Sequence, residues 1–251
     1  MRIAIVGGTG TLGRAVTEEL RARGHDVRVL SRHAPEYRVN LATGEGLDVA
    51  LAGCDVVIDA SNDPSKNAET TLVEGTKKLV AAEARASVKH HVGVSIVGCD
   101  KVPLRYFRVK TAQERAIESG NVPWTIVRAT QFHELISTAL AGASRFGLMP
   151  LPRGTLQTVA VEDAARAIAT VAEKAPQRRR VLVAGPERNE LQDLAKKWRA
   201  SAHRRVFFLP MPLPGAIGKA LRGGALTAET PDIKGTTSFN AWLEARAAED
   251  H

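Results

Sequence analysis

The sequence predicts a doubly wound α/β fold, a parallel sheet with helices on both faces, and a small C-terminal lobe. Three observations predict it. A glycine turn, Gly7-Gly8-Thr9-Gly10-Thr11-Leu12-Gly13, sits between an apolar run and a helical stripe. Strand-like and helix-like segments then alternate as far as Arg128, which implies right-handed crossovers between parallel strands. Past Arg128 the alternation loosens, with no internal repeat and no flexible linker.

The first strand is Ile3-Ala4-Ile5-Val6, and Leu12, Ala15, Val16 and Leu20 form the inner stripe of the helix behind it. In that setting Gly7 permits a tight turn, Gly10 lets a ligand approach the backbone, and Gly13 lets the helix pack closely. Free N–H groups and the helix dipole favour a diphosphate there. The second strand, Val27-Arg28-Val29-Leu30, ends in Ser31-Arg32-His33. Chains that bind NAD usually place an acid here for the ribose hydroxyls. This one has none until Glu36. Arg32 suits a 2′-phosphate through charge-assisted, bidentate contact, so NADP(H) is expected over NAD(H). A solvated surface charge is the alternative reading of Arg32.

The remaining elements follow in order. Tyr37 to Leu41 reads as a short third strand, Leu47 to Leu51 as a brief helix, and Asp55 to Asp59 as a buried fourth strand. A helix with Leu72, Leu79 and Val80 inward leads to the fifth strand, His91 to Val97. Val109 to Glu118 is helical and Trp124 to Arg128 is the sixth strand. Phe132 to Arg145 and Glu162 to Glu173 read as helices. A strand Val181-Leu182-Val183 precedes a further helix holding Leu191, Leu194 and Trp198. Residues 1–251 are taken as one dinucleotide-binding domain, with 131–251 supplying the substrate-side lobe.

Composition narrows the function. At 44% apolar and 25% charged, a chain of 251 residues can bury a sizeable core. No apolar stretch approaches the ~20 residues of a membrane span, and the first strand leaves no room for a signal peptide. The lack of a spanning stretch predicts no membrane partner, and Cys54 and Cys99 form no disulfide framework, so a reducing cytoplasm is expected. The net charge of +8 is scattered, and no nucleic-acid-binding signature accompanies it; an anionic cofactor accounts for it equally well. The seven histidines lack metal-ligand spacing, and no metal is expected.

In a doubly wound sheet ligands bind beyond the carboxyl ends of the strands, which selects Ala60-Ser61-Asn62, Ser95 and the stretch Arg128 to Phe132. Tyr106 and Lys110, four apart, share a helix face. A neighbouring cation would favour the phenolate and lower the tyrosine pKa, allowing Tyr106 to shuttle a proton. Lys110 could also hold a nicotinamide ribose. Chance spacing is the alternative. Phe207 to Ile217, with Phe132, reads either as an apolar pocket wall or as core.

Together these segments resemble the short-chain dehydrogenase/reductase superfamily, in its atypical NmrA-like branch. The resemblance rests on the glycine turn, Ser31-Arg32, the stretch His91 to Gly98, and Tyr106-Phe107-Arg108-Val109-Lys110 with Glu114. It continues through Val122 to Phe132, Val159 to Ala165 and Gly235 to Leu243. It implies a Rossmann fold and NADP(H) held by Gly7, Thr9, Gly10, Thr11, Leu12, Gly13, Ser31, Arg32, Ala60, Ser61 and Lys110. It implies Tyr106 as proton donor, Lys110 as its partner, Ser95 as the hydroxyl orienting a carbonyl, and Gln131 and Phe132 beside the nicotinamide and substrate. The expected activity is NADPH-dependent reduction of a small apolar carbonyl or quinone-like substrate. A non-catalytic NADP(H) sensor and an isomerase or dehydratase using bound cofactor stand as alternatives.

Overall fold

A computed structural model describes residues 1–145 and 147–249. In chain order the elements begin with β1 (Arg2–Val6), α1 (Thr11–Ala22), β2 (Asp26–Ser31), β3 (Tyr37–Arg38), α2 (Leu47–Leu51) and β4 (Val56–Asp59). A π-helical turn over Glu69–Glu74 runs into α3 (Gly75–Arg85), followed by β5 (His90–Ile96), α4 (Arg105–Glu118), β6 (Trp124–Ala129) and α5 (His133–Ala143). Then come β7 (Leu148–Leu151), β8 (Thr155–Leu156), α6 (Val161–Ala172), β9 (Arg180–Ala184), β10 (Asn189–Glu190) and α7 (Leu191–Ser201). β11 (Phe207–Pro210), α8 (Gly215–Arg222), β12 (Ile233–Lys234) and α9 (Phe239–Glu249) complete the order.

The central sheet is parallel, in the order β12-β9-β6-β5-β4-β1-β2-β3. The order reverses between β1 and β4, where both strands end side by side (Val6 opposite Asp59). The crevice beyond this switch point is where such a sheet accepts a ligand. Ile3, Ile5, Val57, Ile58, Ile126 and Val127 are fully buried, as strands covered on both faces require.

The chain forms two compact units. The first comprises Met1–Ile96, Arg105–Arg128 and Ala165–Val181; the second comprises Val97–Leu104, Ala129–Ala164 and Leu182–His251. The boundary therefore differs from a single cut at residue 131. Most of α6 belongs to the first unit, where Glu173 just past it pairs with Arg23 at 2.7 Å and His25 at 2.9 Å.

Two elements depart from expectation for local reasons. The third strand stops at Arg38, because Asn40 Oδ1 accepts the Ala42 N–H and turns the chain. Helix α4 starts at Arg105, earlier than Val109, so Tyr106 lies in its first turn. The run from Phe207 is not core: Phe207 is 76% exposed and Leu209 54%.

Buried polar pairs brace the sheet. His91 Nδ1 meets Glu83 at 2.8 Å with both side chains fully buried, and His90 Nε2 meets Thr125 Oγ1 at 2.9 Å. Burial, and then the neighbouring His91, hold His90 down at about 4. An unfolded chain takes that proton near 6.5, so stability falls as pH drops from 6.5 to about 4. The shift corresponds to about 3 kcal/mol. His90→Gln is expected to flatten this part of a melting-temperature profile; an unchanged slope would remove His90 as its source.

Candidate active site

The three glycines of the turn differ in what a side chain would meet. Gly7 has φ +74°, and a Cβ there would sit 2.8 Å from the Ala60 carbonyl oxygen. Gly13 is closed by its surroundings, since a Cβ would meet Gly7 O at 2.2 Å and Gly8 Cα at 2.6 Å. It packs the helix on the turn itself. Gly10 is different. Its φ of −75° is ordinary, and a Cβ would meet only Gly7 O, at 3.2 Å, so its outer side is open to a ligand. Among the described residues no side chain caps α1; helix geometry leaves its first N–H groups for an anion.

A cleft of about 440 Å³ opens at this switch point. Gly7, Thr9, Gly10, Ser31, Arg32, Ala60 and Ser61 line it together. Ser61 Oγ is buried there with no hydrogen-bond partner among the described residues, an orphan that a ribose or phosphate would satisfy. Thr11 is exposed at the helix start, while Leu12 and Gly13 are buried behind the turn; none of the three lines the cleft. Arg32 is exposed beside it. These features fit a dinucleotide: a glycine cradle for the diphosphate, an uncapped helix start, and a guanidinium where the adenosine ribose would lie.

Asn62, which the strand-end rule selected, also lines the cleft, and so does Asp63, which sequence reasoning missed. The Asp63 carboxyl is held below its ordinary range by hydrogen bonds, first from Ser65 and then from Thr71. Asn62 matters more. Its Oδ1 accepts the Tyr106 hydroxyl at 2.5 Å, which sets the phenol at the edge of the cleft.

The Tyr106–Lys110 pairing needs correction. Lys110 is buried, and its ammonium donates to Val94 O at 2.8 Å and Gln113 Oε1 at 2.5 Å. Gln113 Nε2 donates to Asp59 Oδ2 at 3.0 Å and Thr76 Oγ1 at 3.2 Å, and Asp59 Oδ1 accepts the Ser61 N–H at 3.0 Å. The ammonium is thus tied, through Gln113 and Asp59, to the floor of the cleft. The phenol is pushed up to about 12, by burial first and then by Asp63, the opposite of the lowering expected from a lysine partner. At neutral pH Tyr106 is a protonated donor. The i,i+3 spacing of Lys110 and Gln113 was a readable signal for this arrangement.

Ser95 is buried, and its hydroxyl donates to Glu114. Burial disfavours the Glu114 charge, but Arg128, Ser95 and Arg180 outweigh it and hold the carboxyl down at about 2. A hydroxyl so engaged is already committed as a donor, so Ser95 is not presented to a carbonyl here. Gln131 and Phe132 belong to the second unit. There both amide atoms of Gln131 are buried without a partner among the described residues, as is Thr130 Oγ1. Phe132 is half-buried, immediately before α5. Among the described residues no group of three His, Cys, Asp or Glu could hold a metal ion.

Comparison with known proteins accords with this geometry. The chain is 29% identical over 201 residues to a (4-alkanoyl-5-oxo-2,5-dihydrofuran-3-yl)methyl phosphate reductase of Streptomyces griseus, covering 74% of this chain and 68% of that protein. It is 32% identical over 149 residues to a photosystem II assembly factor of Synechocystis, covering 53% of this chain and 45% of that one. The chain thus spans less than half the length of the assembly factor. The fold matches that of an NADPH-dependent quinone oxidoreductase from Escherichia coli with a TM-score of 0.81, at 18% identity, over 97% of this chain and 99% of that chain. A family model described as NAD(P)H-binding matches residues 7–173. The chain belongs to that NAD(P)H-binding family.

Proposed function

We propose that the protein is an NADPH-dependent reductase of small apolar carbonyl or quinone-like compounds. One observation carries the reading: Asn62 both lines the cleft and accepts the Tyr106 hydroxyl, so a protonated phenol stands at the edge of the cleft that the glycine turn lines. A reduced nicotinamide held by these residues would supply a hydride to the electrophilic carbon of the substrate. Tyr106 donates its proton to the substrate oxygen as negative charge grows there, and solvent returns the proton to the phenolate. The uncapped start of α1, with Gly7 and Gly10, holds the diphosphate, and Arg32 grips the 2′-phosphate. Lys110 is proposed to act through Gln113, which it holds in place and which in turn fixes Asp59 at the floor of the cleft. Acting as the phenol's direct partner or as a ribose ligand would require its ammonium to turn from Val94 and Gln113. Gln131, with its unpartnered amide, and Phe132 are the proposed substrate-side contacts.

The similarity to a (4-alkanoyl-5-oxo-2,5-dihydrofuran-3-yl)methyl phosphate reductase, whose named compound carries carbonyl groups beside a phosphate, supports the carbonyl class. The similarity to a photosystem II assembly factor favours the second reading, an NADP(H)-binding protein that acts on other macromolecules. Turnover separates the two. With NADPH and a panel of carbonyls and quinones, the reductase reading expects substrate-dependent NADPH oxidation. Tight NADPH binding with no turnover across the panel gives the sensor reading the lead.

A further inference from the structure

We infer that the second unit carries a docking face for an anionic lipid surface, the outer side of the β7–β11 strand pair. The register sets Phe207 opposite Leu148 and Leu209 opposite Pro150. Alternation along the strands then puts these four side chains on one side, and Met211 continues the row. That side is open, with Leu148 55%, Leu209 54% and Met211 41% exposed, and Phe207 more than either strand neighbour. The other side is packed. Met149 and Leu151 are buried, and Phe208 lies under the Arg199 guanidinium at 4.6 Å. Of the eight large apolar side chains exposed among the described residues, four lie on this one face. Clustering of that kind marks an interaction surface.

Charge selects the partner. Residues 135–161 and 194–228, which build the strand pair and its surroundings, contain no Asp or Glu. They hold nine Lys and Arg, two in the first stretch and seven in the second, of which Lys196 and Lys197 pair with Asp193 and Glu187 outside them. Arg204 and Arg205 are exposed where the chain approaches β11, and neither guanidinium has a protein partner among the described residues. Beside the strands opens a cleft of about 370 Å³, lined by Leu151, Met211, Leu213, Arg153 and Arg222. Apolar side chains flanked by guanidinium groups match the boundary between acyl chains and anionic headgroups.

Other occupants fit less well. The five apolar side chains of the face offer no hydrogen-bonding group, whereas a protein interface carries roughly one hydrogen bond per 100–200 Å². Pro150 and Pro210 remove N–H donors from the two strands, which disfavours an added strand. A two-fold contact between copies would bring the same basic surroundings against themselves. Docking of this kind needs no spanning segment, and among the described residues no helix is long and apolar enough to cross a membrane.

Co-sedimentation of the full chain with vesicles tests the inference, using phosphatidylcholine alone and a mixture of about three parts phosphatidylcholine to one part phosphatidylglycerol, whose negative surface potential attracts basic side chains. Binding to the anionic vesicles is expected to exceed binding to the neutral ones at least tenfold and to fall at high salt. The double variant Phe207→Glu, Leu209→Glu should lose at least tenfold of it. Both side chains are open, so its melting temperature and NADPH affinity should match the wild type. Arg204→Glu, Arg205→Glu should lose binding as well. Absence of binding to anionic vesicles overturns the proposal, as does undiminished binding by the Phe207/Leu209 variant, which would leave charge alone as the cause. Light scattering that finds a wild-type dimer broken by the same substitutions also overturns it and assigns the face to a second copy.

Discussion

Tyr106→Phe is expected to bind NADPH as the wild type does and to reduce a carbonyl substrate about 10²–10⁴-fold more slowly, the range for lost general-acid catalysis. The tyrosine ring packs against the cluster of Ala68, Leu72, Val73 and Val109, and phenylalanine keeps that contact. The hydroxyl alone is lost, together with its bond to Asn62. Melting temperature and dinucleotide affinity serve as controls, because a merely structural role would move them. A carbonyl substrate is the right probe, since a quinone relies more on positioning for hydride transfer and less on a proton donor. Because burial and Asp63 hold the phenol protonated, no loss of the acid form is expected between neutral pH and about 10. Full activity in Tyr106→Phe would remove the residue from the mechanism.

Gly10→Val should abolish dinucleotide binding while leaving the fold in place. The backbone at Gly10 is extended with a negative φ, which valine adopts readily. Its Cβ would meet only Gly7 O at 3.2 Å, so a few tenths of an ångström of give accommodate it. The branched side chain then occupies the space through which a diphosphate reaches the helix start. Losing two charge-assisted hydrogen bonds, about 1.5–3 kcal/mol each, weakens binding about 100-fold or more. Gly13→Val is the contrasting case. Its Cβ would lie 2.2 Å from Gly7 O, so the turn itself must break and stability falls with binding. Calorimetric titration alongside thermal melting distinguishes the two. Unchanged affinity in folded Gly10→Val would move the diphosphate elsewhere.

The first unit was legible in the sequence because its signals are local. Apolar runs such as Val56-Val57-Ile58 and the stripe from Leu12 to Leu20 decide strand and helix within a few residues. The glycine turn, Arg32 and Ser61 came together in one cleft because sheet topology brings strand ends to one edge. What was hidden depends on distant partners. The direction of Lys110 is set by Gln113 and by Asp59 more than 50 residues away. The Ser95 hydroxyl is claimed by Glu114 on the following helix. Two-residue strands such as β8 and β10 exist only through their pairing with each other. Phe207 to Leu209 reads as buried because apolar runs usually are, yet only the β7 register reveals which side chains face outward.

The account turns on NADPH being held at the first unit's cleft through Arg32, and side-by-side titration of NADPH and NADH tests that most directly. The wild type should bind NADPH more tightly. Arg32→Ala should weaken NADPH by about 1.5–3 kcal/mol and leave NADH nearly unchanged, since NADH has no 2′-phosphate. Arg32→Asp should reverse the preference, its carboxylate repelling the phosphate and accepting the ribose hydroxyls. Equal wild-type affinities for the two dinucleotides, or equal losses of both in Arg32→Ala, would contradict it.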